Sequence, residues 1–359
     1  MIVLSVTDVN EALPAGLRLL AQCGVHESSR AGDVIVAPRP VVTAYSRPWQ
    51  KVLASPIRDA NPFFHMMEAL WMLAGREDEA FLSHYVKDFG KRFAEETGTI
   101  HGSYGYRWRE SLGIDQLDII VEKLKRNPSD RQAVLQMWDA AGEDDLTGDW
   151  KDRPCNTHIY FRVREAMLDM TVCCRSNDII WGAYGANAVH FAFLLDYMAA
   201  RIGVTPGIYY QISNNYHAYV DEIKRLQTRA KMSSAFSDLN ELAGKLEVQI
   251  APPGFPAFSA EYDCDKDITR LLNDIELIHV TGQFYRHNVT SRVGLAPGTN
   301  YLNSNLAISV KAAAIAHRCY RLGDLELAIY YAEQIVWVDW QQACVAWLKR
   351  RQEMKHVGN

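Results

Sequence analysis

Two strand-like runs separated by a very short turn constrain this chain more than any other feature. Residues 157–163 and 167–173 are rich in side chains that favour strands, and residues 164–166 lie between them. Strands joined by so short a connection pair as an antiparallel hairpin. We therefore predict that Cys155, just before the first strand, meets residues 175–178, just after the second, at one end of a sheet.

The side chains gathered at that end suit an anionic substrate that is attacked by sulfur. Cys155 supplies a thiol nucleophile. Arg175 and Ser176 supply hydrogen-bond donors for a phosphate, and Asp178 supplies an acceptor for a second polar ligand. The residues alone therefore indicate covalent catalysis on a phosphorylated compound.

Composition narrows the class of protein further. The chain has 359 residues, a net charge of −5 and seven cysteines. The negative charge argues against nucleic acid as a general partner. The cysteines have no metal-ligand spacing, so we expect no metal site, reduced thiols and a cytoplasmic location. No apolar run reaches the length of a membrane span.

A carboxylate sits beside the apolar face of a predicted helix. Asn61 can cap this helix, Pro62 fits its first turn, and Gly75 can end it. Glu68 lies next to the apolar face, where an unpaired carboxylate is costly to bury. Two interpretations carry equal weight: a rim residue in an ordinary hydrogen bond, or an acid/base with a raised pKa.

Three further positions are candidates for ligand contacts. Asn187 precedes a strongly apolar helix over about residues 188–202, whose amino end offers free N–H groups. His217 and Tyr219 share a face if extended, which fits either a sugar hydroxyl or a structural pair. Arg30 beside a glycine is either a mobile phosphate clamp or, as spacing alone favours, an exposed arginine.

Taken in order, these residues resemble the thymidylate synthase superfamily, which includes pyrimidine-nucleotide hydroxymethylases. The resemblance covers roughly residues 28–220. The matching positions are Arg30 with Gly32, Glu68 to Trp71, Tyr104 with Gly105, Trp108 with Arg109, Arg131, Pro154 with Cys155, Arg175, Ser176, Asp178, Gly182, Asn187, His217 and Tyr219.

The resemblance implies an α+β fold. It predicts a mixed β-sheet layered with helices, a homodimer formed through the sheet, and extra C-terminal helices. We assign residues 1–250 to the catalytic domain, and 251–359 to the remainder of the fold plus an appended helical region. Two C-terminal helices are expected, over 306–320 and 325–350, whereas residues 102–109 read as an aromatic and glycine-rich loop.

The resemblance also implies a role for each candidate. Cys155 would add to C6 of a pyrimidine nucleotide, and 5,10-methylenetetrahydrofolate would donate one carbon to C5. Glu68, Tyr104 and Asp178 would complete the catalytic set. The substrate would be held by Arg30, Arg131, Arg175, Ser176, Asn187, His217 and Tyr219. The folate would lie against Asp178, Gly182, Trp181 and Phe89. Arg131 would reach across a dimer interface, and nearby arginines would increase the ionised fraction of Cys155.

Three departures from the family pattern bear on the product. Residues 88–93, which include Phe89, replace a segment with two tryptophans, and this change favours water capture and a hydroxymethyl product. Asn156 follows the cysteine where synthases usually have histidine. The spacing from Asp178 to Asn187 is one residue longer than usual, so either Asn187 shifts into place or Ala186 occupies its slot.

These departures lead us to expect 5-hydroxymethylation of dCMP. Three alternatives within the class are methylation of dUMP by a divergent thymidylate synthase, and hydroxymethylation of CMP or of dUMP. Two alternatives lie outside this class of enzyme. One is a non-catalytic nucleotide-binding protein, and the other is a cysteine hydrolase that pairs Cys155 with His158 or His217. Retention of both Cys155 and Glu68 argues against the first of these, and unexplained arginines argue against the second.

Overall fold

The computed structural model describes residues 1–140, 144–232, 238–248, 258, 264–281 and 305–357. Its strands are β1 (Ile2–Val6), β2 (Val25–Ser29), β3 (Gly32–Val36), β4 (Val41–Tyr45), β5 (Val134–Gln136), β6 (Asn156–Arg164), β7 (Met167–Asp178) and β8 (Thr205–Tyr219). Its helices are α1 (Val9–Cys23), α2 (Pro62–Leu73), α3 (Glu79–Ser83), α4 (Phe89–Phe93), α5 (Tyr104–Arg109), α6 (Gln116–Arg126), α7 (Asp144–Thr147), α8 (Ala188–Ile202), α9 (Val220–Arg229), α10 (Leu239–Leu246), α11 (Cys264–Thr281), α12 (Asn305–Arg321), α13 (Leu325–Ala332) and α14 (Val338–Val357). A π-helical segment, Ile179–Asn187, joins β7 to α8.

One mixed sheet of eight strands forms the centre of the fold. Its main order is β1-β4-β8-β7-β6-β5, with β3 beside the end of β8 and β2 outside β3. The pairs β1–β4 and β7–β8 are parallel, and the other pairs are antiparallel. Helices cover this sheet, so the predicted α+β architecture with layered helices is confirmed.

The predicted hairpin is present as β6 and β7. Arg164 pairs with Met167, and Asn156 pairs with Cys174 at the other end. The two turn residues, Glu165 and Ala166, have φ angles of 48° and 59°. Two consecutive left-handed residues give the tight turn whose twist matches that of paired strands.

Two buried helices face the sheet's functional end. The Asn61 side chain caps α2 by accepting from the N–H of Phe64 at 3.2 Å, as the sequence predicts. The apolar helix α8 packs against α2, β7 and β8 and ends at Gly203, whose φ is 88°. The expected central position of this helix is confirmed. Glu68 on α2 therefore faces a protein interior.

The predicted loop over residues 102–109 is wrong, because Tyr104–Arg109 forms α5. Gly105 explains why this helix can form here. A Cβ atom at Gly105 would lie 2.0 Å from the carbonyl oxygen of Met72 on α2. Only glycine permits so close an approach of α5 to α2, and this approach fixes the position of Tyr104.

The C-terminal region contains α12, α13 and α14 rather than the two predicted helices. The expected helix over 325–350 is interrupted between α13 and α14, where the Gln341 side chain donates to the carbonyl oxygens of Glu333 and Ile335 at 2.6 and 3.0 Å. Trp347 of α14 packs edge-on against Phe63 of α2, with ring centroids 5.6 Å apart. These helices thus contact the helix that carries Glu68.

Some expectations stay predictions. The proposed boundary at residue 250 lies outside the described residues, so the division into two domains is untested. The homodimer is likewise untested. Among the helices of the described ranges, none has the length and hydropathy needed to cross a bilayer.

Candidate active site

Cys155 and Arg175 meet at the open end of the β6–β7 hairpin, as predicted. The N–H of Arg175 donates to the carbonyl oxygen of Cys155 at 2.9 Å. The Arg175 Nε donates to the Pro154 carbonyl at 3.0 Å, and its guanidinium lies 5.5 Å from the ring centroid of Trp138. Arg175 is exposed, so the outer edge of the guanidinium can take an anion in the space beside the thiol.

Burial outweighs the arginine in setting the acidity of the thiol. Burial raises the pKa of Cys155, Arg175 opposes that rise, and Asp152 adds to it. The predicted influence of a nearby arginine is confirmed for Arg175, but burial has the larger effect and the net pKa of the thiol is raised. The thiol is held largely protonated until a reaction partner removes its proton.

Tyr104 ties α5 to the cysteine. Its hydroxyl oxygen accepts from the backbone N–H groups of Cys155 and Asn156, both at 3.2 Å, and from the Asn156 Nδ2 at 2.9 Å. Burial raises the pKa of Tyr104 well above its ordinary value, with Cys155 adding to the rise. The hydroxyl therefore stays protonated, and with its oxygen occupied by donors it can donate its own proton.

Four buried polar side chains continue this network as a chain of amides. Asn156 Nδ2 donates to Asn187 Oδ1 at 3.2 Å, and Asn187 Nδ2 donates to Asn177 Oδ1 at 3.1 Å. Asn177 Nδ2 then donates to Ser213 Oγ at 2.8 Å. Each amide is oriented by its neighbour, whereas Asn156 Oδ1 is buried without a hydrogen-bond partner in the described part of the chain. This oxygen is a fixed acceptor beside the thiol.

The π-helical segment resolves the extra residue before Asn187. A π turn holds one residue more than an α turn, so it absorbs an insertion without shifting the helix that comes after it. The segment kinks at Tyr184 and Gly185, and Asn187, not Ala186, joins the amide chain. Gly182 lies against this chain, since a Cβ there would be 3.0 Å from Asn177 Oδ1.

Asp178 organises the start of the same segment. Its carboxylate accepts from the N–H groups of Trp181 at 2.7 Å and Ile180 at 3.4 Å. Asp178 also lies opposite His217 in the parallel β7–β8 register. Burial raises the pKa of Asp178, against the lowering effect of those N–H groups and of His217. Part of this carboxylate is thus already used in capping.

A tryptophan and an arginine form a flat surface beyond Asp178. The Trp181 side chain is 53% exposed, and the Arg58 guanidinium lies 4.3 Å from its ring centroid. Arg58 is buried, donates from Nε to the Ile180 carbonyl at 3.0 Å, and has one terminal nitrogen without a partner in the described residues. Sequence reasoning missed Arg58, because only the tertiary fold brings it to Trp181.

His217 and Tyr219 lie at the end of β8, within electrostatic reach of Arg30. The rings of His217 and Tyr219 meet edge-on with centroids 5.2 Å apart, so the predicted shared face is confirmed. His217 Nδ1 lies 2.7 Å from Asn215 Oδ1. Burial raises the pKa of Tyr219, Asp178 and Cys155 raise it further, and Arg30 lowers it. Arg30, exposed at the β2–β3 turn, therefore lies within electrostatic reach of the same cluster.

The remaining candidates occupy different surroundings. Ser176 is half-buried and pairs with Asn215 in the β7–β8 register. Phe89 is buried against Phe64 of α2, with ring centroids 5.7 Å apart. Arg131 is exposed and does not lie near Cys155. Two residues after Arg131, the carbonyl oxygen of Ala133 accepts a hydrogen bond from the N–H of Phe161. Phe161 is six residues from Cys155 along the extended chain, which corresponds to about 20 Å.

Glu68 lies in a buried cluster that sequence reasoning missed. His190 Nε2 is 3.1 Å from Glu68 Oε2, and His65 is three residues before Glu68 on the same face of α2. Burial raises the pKa of Glu68 to about 8, and the Asp152 carboxylate adds to the rise. The next residue, Phe191, packs its ring 5.7 Å from that of Tyr104, so the amino end of α8 joins Glu68 to the rest of the site.

The site combines a cysteine beside an exposed guanidinium, a chain of fixed amides and a largely buried carboxylate. Together these groups suit a transferase that acts on a phosphorylated heterocycle. The sequence profile of the family described as thymidylate synthase matches residues 57–249, and the chain belongs to this family. It is a one-carbon transferase that acts on a pyrimidine nucleotide.

Two phage proteins and an archaeal protein are among its relatives. The deoxyuridylate hydroxymethyltransferase of Pseudomonas phage M6 is 37% identical over 353 residues, which is 98% of this chain and 95% of that protein. The deoxyuridylate hydroxymethyltransferase of Bacillus phage SP01 is 39% identical over 201 residues, or 53% and 52% of the two chains. A putative thymidylate synthase of Methanothermobacter thermautotrophicus is 29% identical over 178 residues, or 49% and 78%.

Proposed function

We propose that this enzyme hydroxymethylates C5 of dUMP with 5,10-methylenetetrahydrofolate as the one-carbon donor. The observation that carries the proposal is the amide chain from Asn156 through Asn187 to Asn177, built directly onto the cysteine residue. The name of the phage M6 relative, similar over almost the whole chain, supports both the base and the product. The expectation of dCMP is corrected on this ground.

The amide chain gives a physical reason for choosing one base. Asn187 has a second N–H and a second lone pair beyond its bonds to Asn177 and Asn156, so it can match the O4 and N3–H of uracil. Rotating the Asn187 amide to match cytosine would bring its nitrogen against the Asn156 nitrogen and its oxygen against the Asn177 oxygen. The fixed orientation therefore favours a single base, and the relatives' substrate favours uracil.

Each reacting group has a position that suits its role. Cys155 Sγ adds to C6, and the thiol proton and the hydrogen displaced from C5 pass to the two folate nitrogens that release the carbon. Tyr104 donates a hydrogen bond from its hydroxyl group to an oxygen at the ring's edge. The 5′-phosphate binds the exposed guanidinium of Arg175, Ser176 and Arg30 are the other expected phosphate donors, and His217 with Tyr219 takes the sugar hydroxyl. Arg131 would serve only from a partner subunit.

The cosubstrate fits the surface beside Asp178. Trp181 offers an exposed flat ring backed by the Arg58 cation, and Gly182 leaves room above the amides. Phe89, buried against Phe64, was expected to contact the folate and has no described contact with this surface. Bound methylenetetrahydrofolate supplies the carbon that becomes attached to C5, and Asp178 would orient it with the lone pairs that capping leaves free.

Glu68 provides the site for the water that forms the hydroxyl group. Once C5 carries an exocyclic methylene, the water oxygen bonds to that carbon. The carbon–carbon π electrons move into the ring and expel Cys155 from C6. The thiolate then takes up the proton that water releases, so the enzyme returns to its starting state.

Product analysis tests this proposal. Purified enzyme is incubated with labelled methylenetetrahydrofolate and, separately, dUMP, dCMP, UMP and CMP, and the products are identified by mass. We expect 5-hydroxymethyl-dUMP and tetrahydrofolate from dUMP alone. Thymidylate with dihydrofolate would replace the proposal with a methylating enzyme, and preferential turnover of dCMP would overturn the choice of base.

A further inference from the structure

Two buried histidines and a glutamate whose side chain is 17% exposed point their ligand atoms at one another. His65, Glu68 and His190 each offer one such atom, and all three atoms lie within 4.8 Å of one another. His65 is 7% exposed and His190 is 4% exposed. His65 Nδ1, Glu68 Oε2 and His190 Nε2 are buried and have no hydrogen-bond partner within the described residues. Three orphaned polar atoms in one place require an explanation, because buried polar groups are normally paired.

A hydrogen bond between the two closest of these atoms does not explain why they are unpaired. His190 Nε2 and Glu68 Oε2 are 3.1 Å apart, yet they lack the alignment of an N–H···O bond. Two ligands bonded to one ion at about 2.1 Å lie about 3.0 to 3.4 Å apart in octahedral or tetrahedral geometry. The 3.1 Å separation of this one pair falls within that interval, and the His65 ligand atom lies within 4.8 Å of both.

We propose that His65, Glu68 and His190 bind one divalent transition-metal ion. Two imidazoles and a carboxylate are ligands that suit Zn²⁺, and also Fe²⁺, better than Ca²⁺ or Mg²⁺. The scaffold is rigid: His65 and Glu68 are three residues apart on one face of α2, and His190 is in the first turn of α8, which packs on α2.

One charged neighbour favours a cation in this cluster and another opposes it. The Asp152 carboxylate acts electrostatically on Glu68, and a divalent ion would offset the repulsion between these two acids. The Arg58 guanidinium acts on His65 and opposes a second positive charge.

One consequence rests on the proposed function. The ion lies at the amino end of α8, three residues after Asn187 and next to Phe191, which packs on Tyr104. A water bound to Zn²⁺ ionises near pH 7. Its hydroxide would attack the exocyclic methylene carbon, with Cys155 expelled from C6 and protonated by the released proton. The metal would then supply the water that a methylating enzyme does not need.

Metal binding is measured directly on the full chain, purified without a histidine tag. The protein is stripped with chelator, dialysed against Zn²⁺, and its metal content is determined by mass spectrometry. Co²⁺ serves as a second probe, because its visible spectrum reports ligand geometry. We expect about one equivalent of Zn²⁺ and a Co²⁺ spectrum typical of four or five ligands.

Matched variants separate this site from adventitious binding. His65→Asn and His190→Asn should each weaken Zn²⁺ binding at least about tenfold, as loss of a ligand does. His26→Asn, on the exposed strand β2, should bind like the unaltered protein. Circular dichroism verifies that each variant is folded, and Glu68→Gln provides a third ligand change if one histidine variant does not fold.

Two results would overturn the proposal. One is binding of less than about a tenth of an equivalent by the unaltered protein, which would leave a histidine–carboxylate pair around a shared proton or a water. The other is equal binding by the histidine variants. Neither result bears on the proposed function, which the product assay decides. Hydroxymethyl-dUMP formed equally fast by stripped and Zn²⁺-loaded enzyme would remove only the role of the metal in supplying water.

Discussion

At the scale of single residues, the site works through groups whose acidity is set by burial. Cys155 lies beside a guanidinium, yet its pKa is raised because burial penalises the thiolate more than Arg175 stabilises it. The pKa of Tyr104 is raised for the same reason. Both groups therefore enter the reaction protonated. In the proposed reaction, proton transfer would therefore accompany attack of the Cys155 sulfur on the ring, and the position of the thiol would matter more than its resting charge.

Replacing the sulfur tests that argument. Cys155→Ser keeps the size of the half-buried side chain but substitutes a hydroxyl, a much weaker nucleophile at neutral pH. We expect tritium release from C5 of labelled dUMP to fall by at least about a thousandfold, with the fold retained. Cys173→Ser is the matched control, since Cys173 is also half-buried, on the neighbouring strand β7. Activity of Cys155→Ser within about tenfold of Cys173→Ser would exclude covalent catalysis by this residue.

At the scale of elements, the π-helical segment determines where Asn187 lies. The segment begins at Asp178, whose carboxylate caps it, and passes Gly182 before reaching Asn187. Gly182 leaves the space that the Asn177 and Asn187 amides occupy, with Asn187 Nδ2 3.7 Å from the Cβ that a larger residue would add. In the proposed site, recognition of the base by Asn187 would thus depend on the absence of a side chain at Gly182.

Adding a side chain at position 182 should weaken the binding of dUMP more than it lowers the stability of the fold. In Gly182→Ala the new Cβ would lie 3.0 Å from Asn177 Oδ1, so Asn177 must move and the orientation of Asn187 is lost. We expect the KM for dUMP to rise about tenfold, equivalent to roughly one lost hydrogen bond. Gly244→Ala on α10, where nothing lies within 4 Å of the added atom, is the control. An unchanged KM in Gly182→Ala would mean that the amide chain does not contact the base.

The same segment shows why part of the site could be predicted and part could not. The hairpin followed from strand-forming runs and a short turn, so the meeting of Cys155 with Arg175 was predictable. The extra residue before Asn187 left two registers open, because sequence spacing does not distinguish a π turn from a shifted α-helix. The pair formed by His65 and His190 could not be predicted from the sequence, because their helices are separated in the chain by β5, β6 and β7 and meet only through packing.

At the scale of the whole molecule, a cluster of histidines joins the C-terminal helices to the catalytic region. His279 of α11 hydrogen-bonds to the hydroxyl of Tyr85 at 2.8 Å and stacks on His84, with ring centroids 4.3 Å apart. His317 of α12 packs on Tyr85 and Phe63, with ring centroids 4.8 and 5.5 Å away. Burial lowers the pKa of both His279 and His317 to about 3.

This junction predicts a loss of stability in acid. A histidine with an ordinary pKa of 6.5 when unfolded and about 3 when folded binds protons preferentially in the unfolded chain. Its contribution is complete above pH 6.5 and declines as the pH falls toward 3. At about pH 5 each of the two histidines should cost about 2 kcal/mol of unfolding free energy relative to about pH 7.

Urea unfolding of His317→Phe at pH 7 and pH 5 isolates the effect. Phenylalanine keeps an aromatic ring against Phe63 and Tyr85 but cannot take up a proton, so the difference in unfolding free energy between the two pH values should shrink by about 2 kcal/mol. His26→Phe, on the exposed strand β2, should behave like the unaltered protein. If the unfolding free energy falls equally from pH 7 to pH 5 in the unaltered protein, His317→Phe and His26→Phe, then His317 is not responsible for the loss of stability in acid. A smaller loss in His317→Phe alone would show that acid first weakens the attachment of the C-terminal helices to α2, the helix that also carries Glu68.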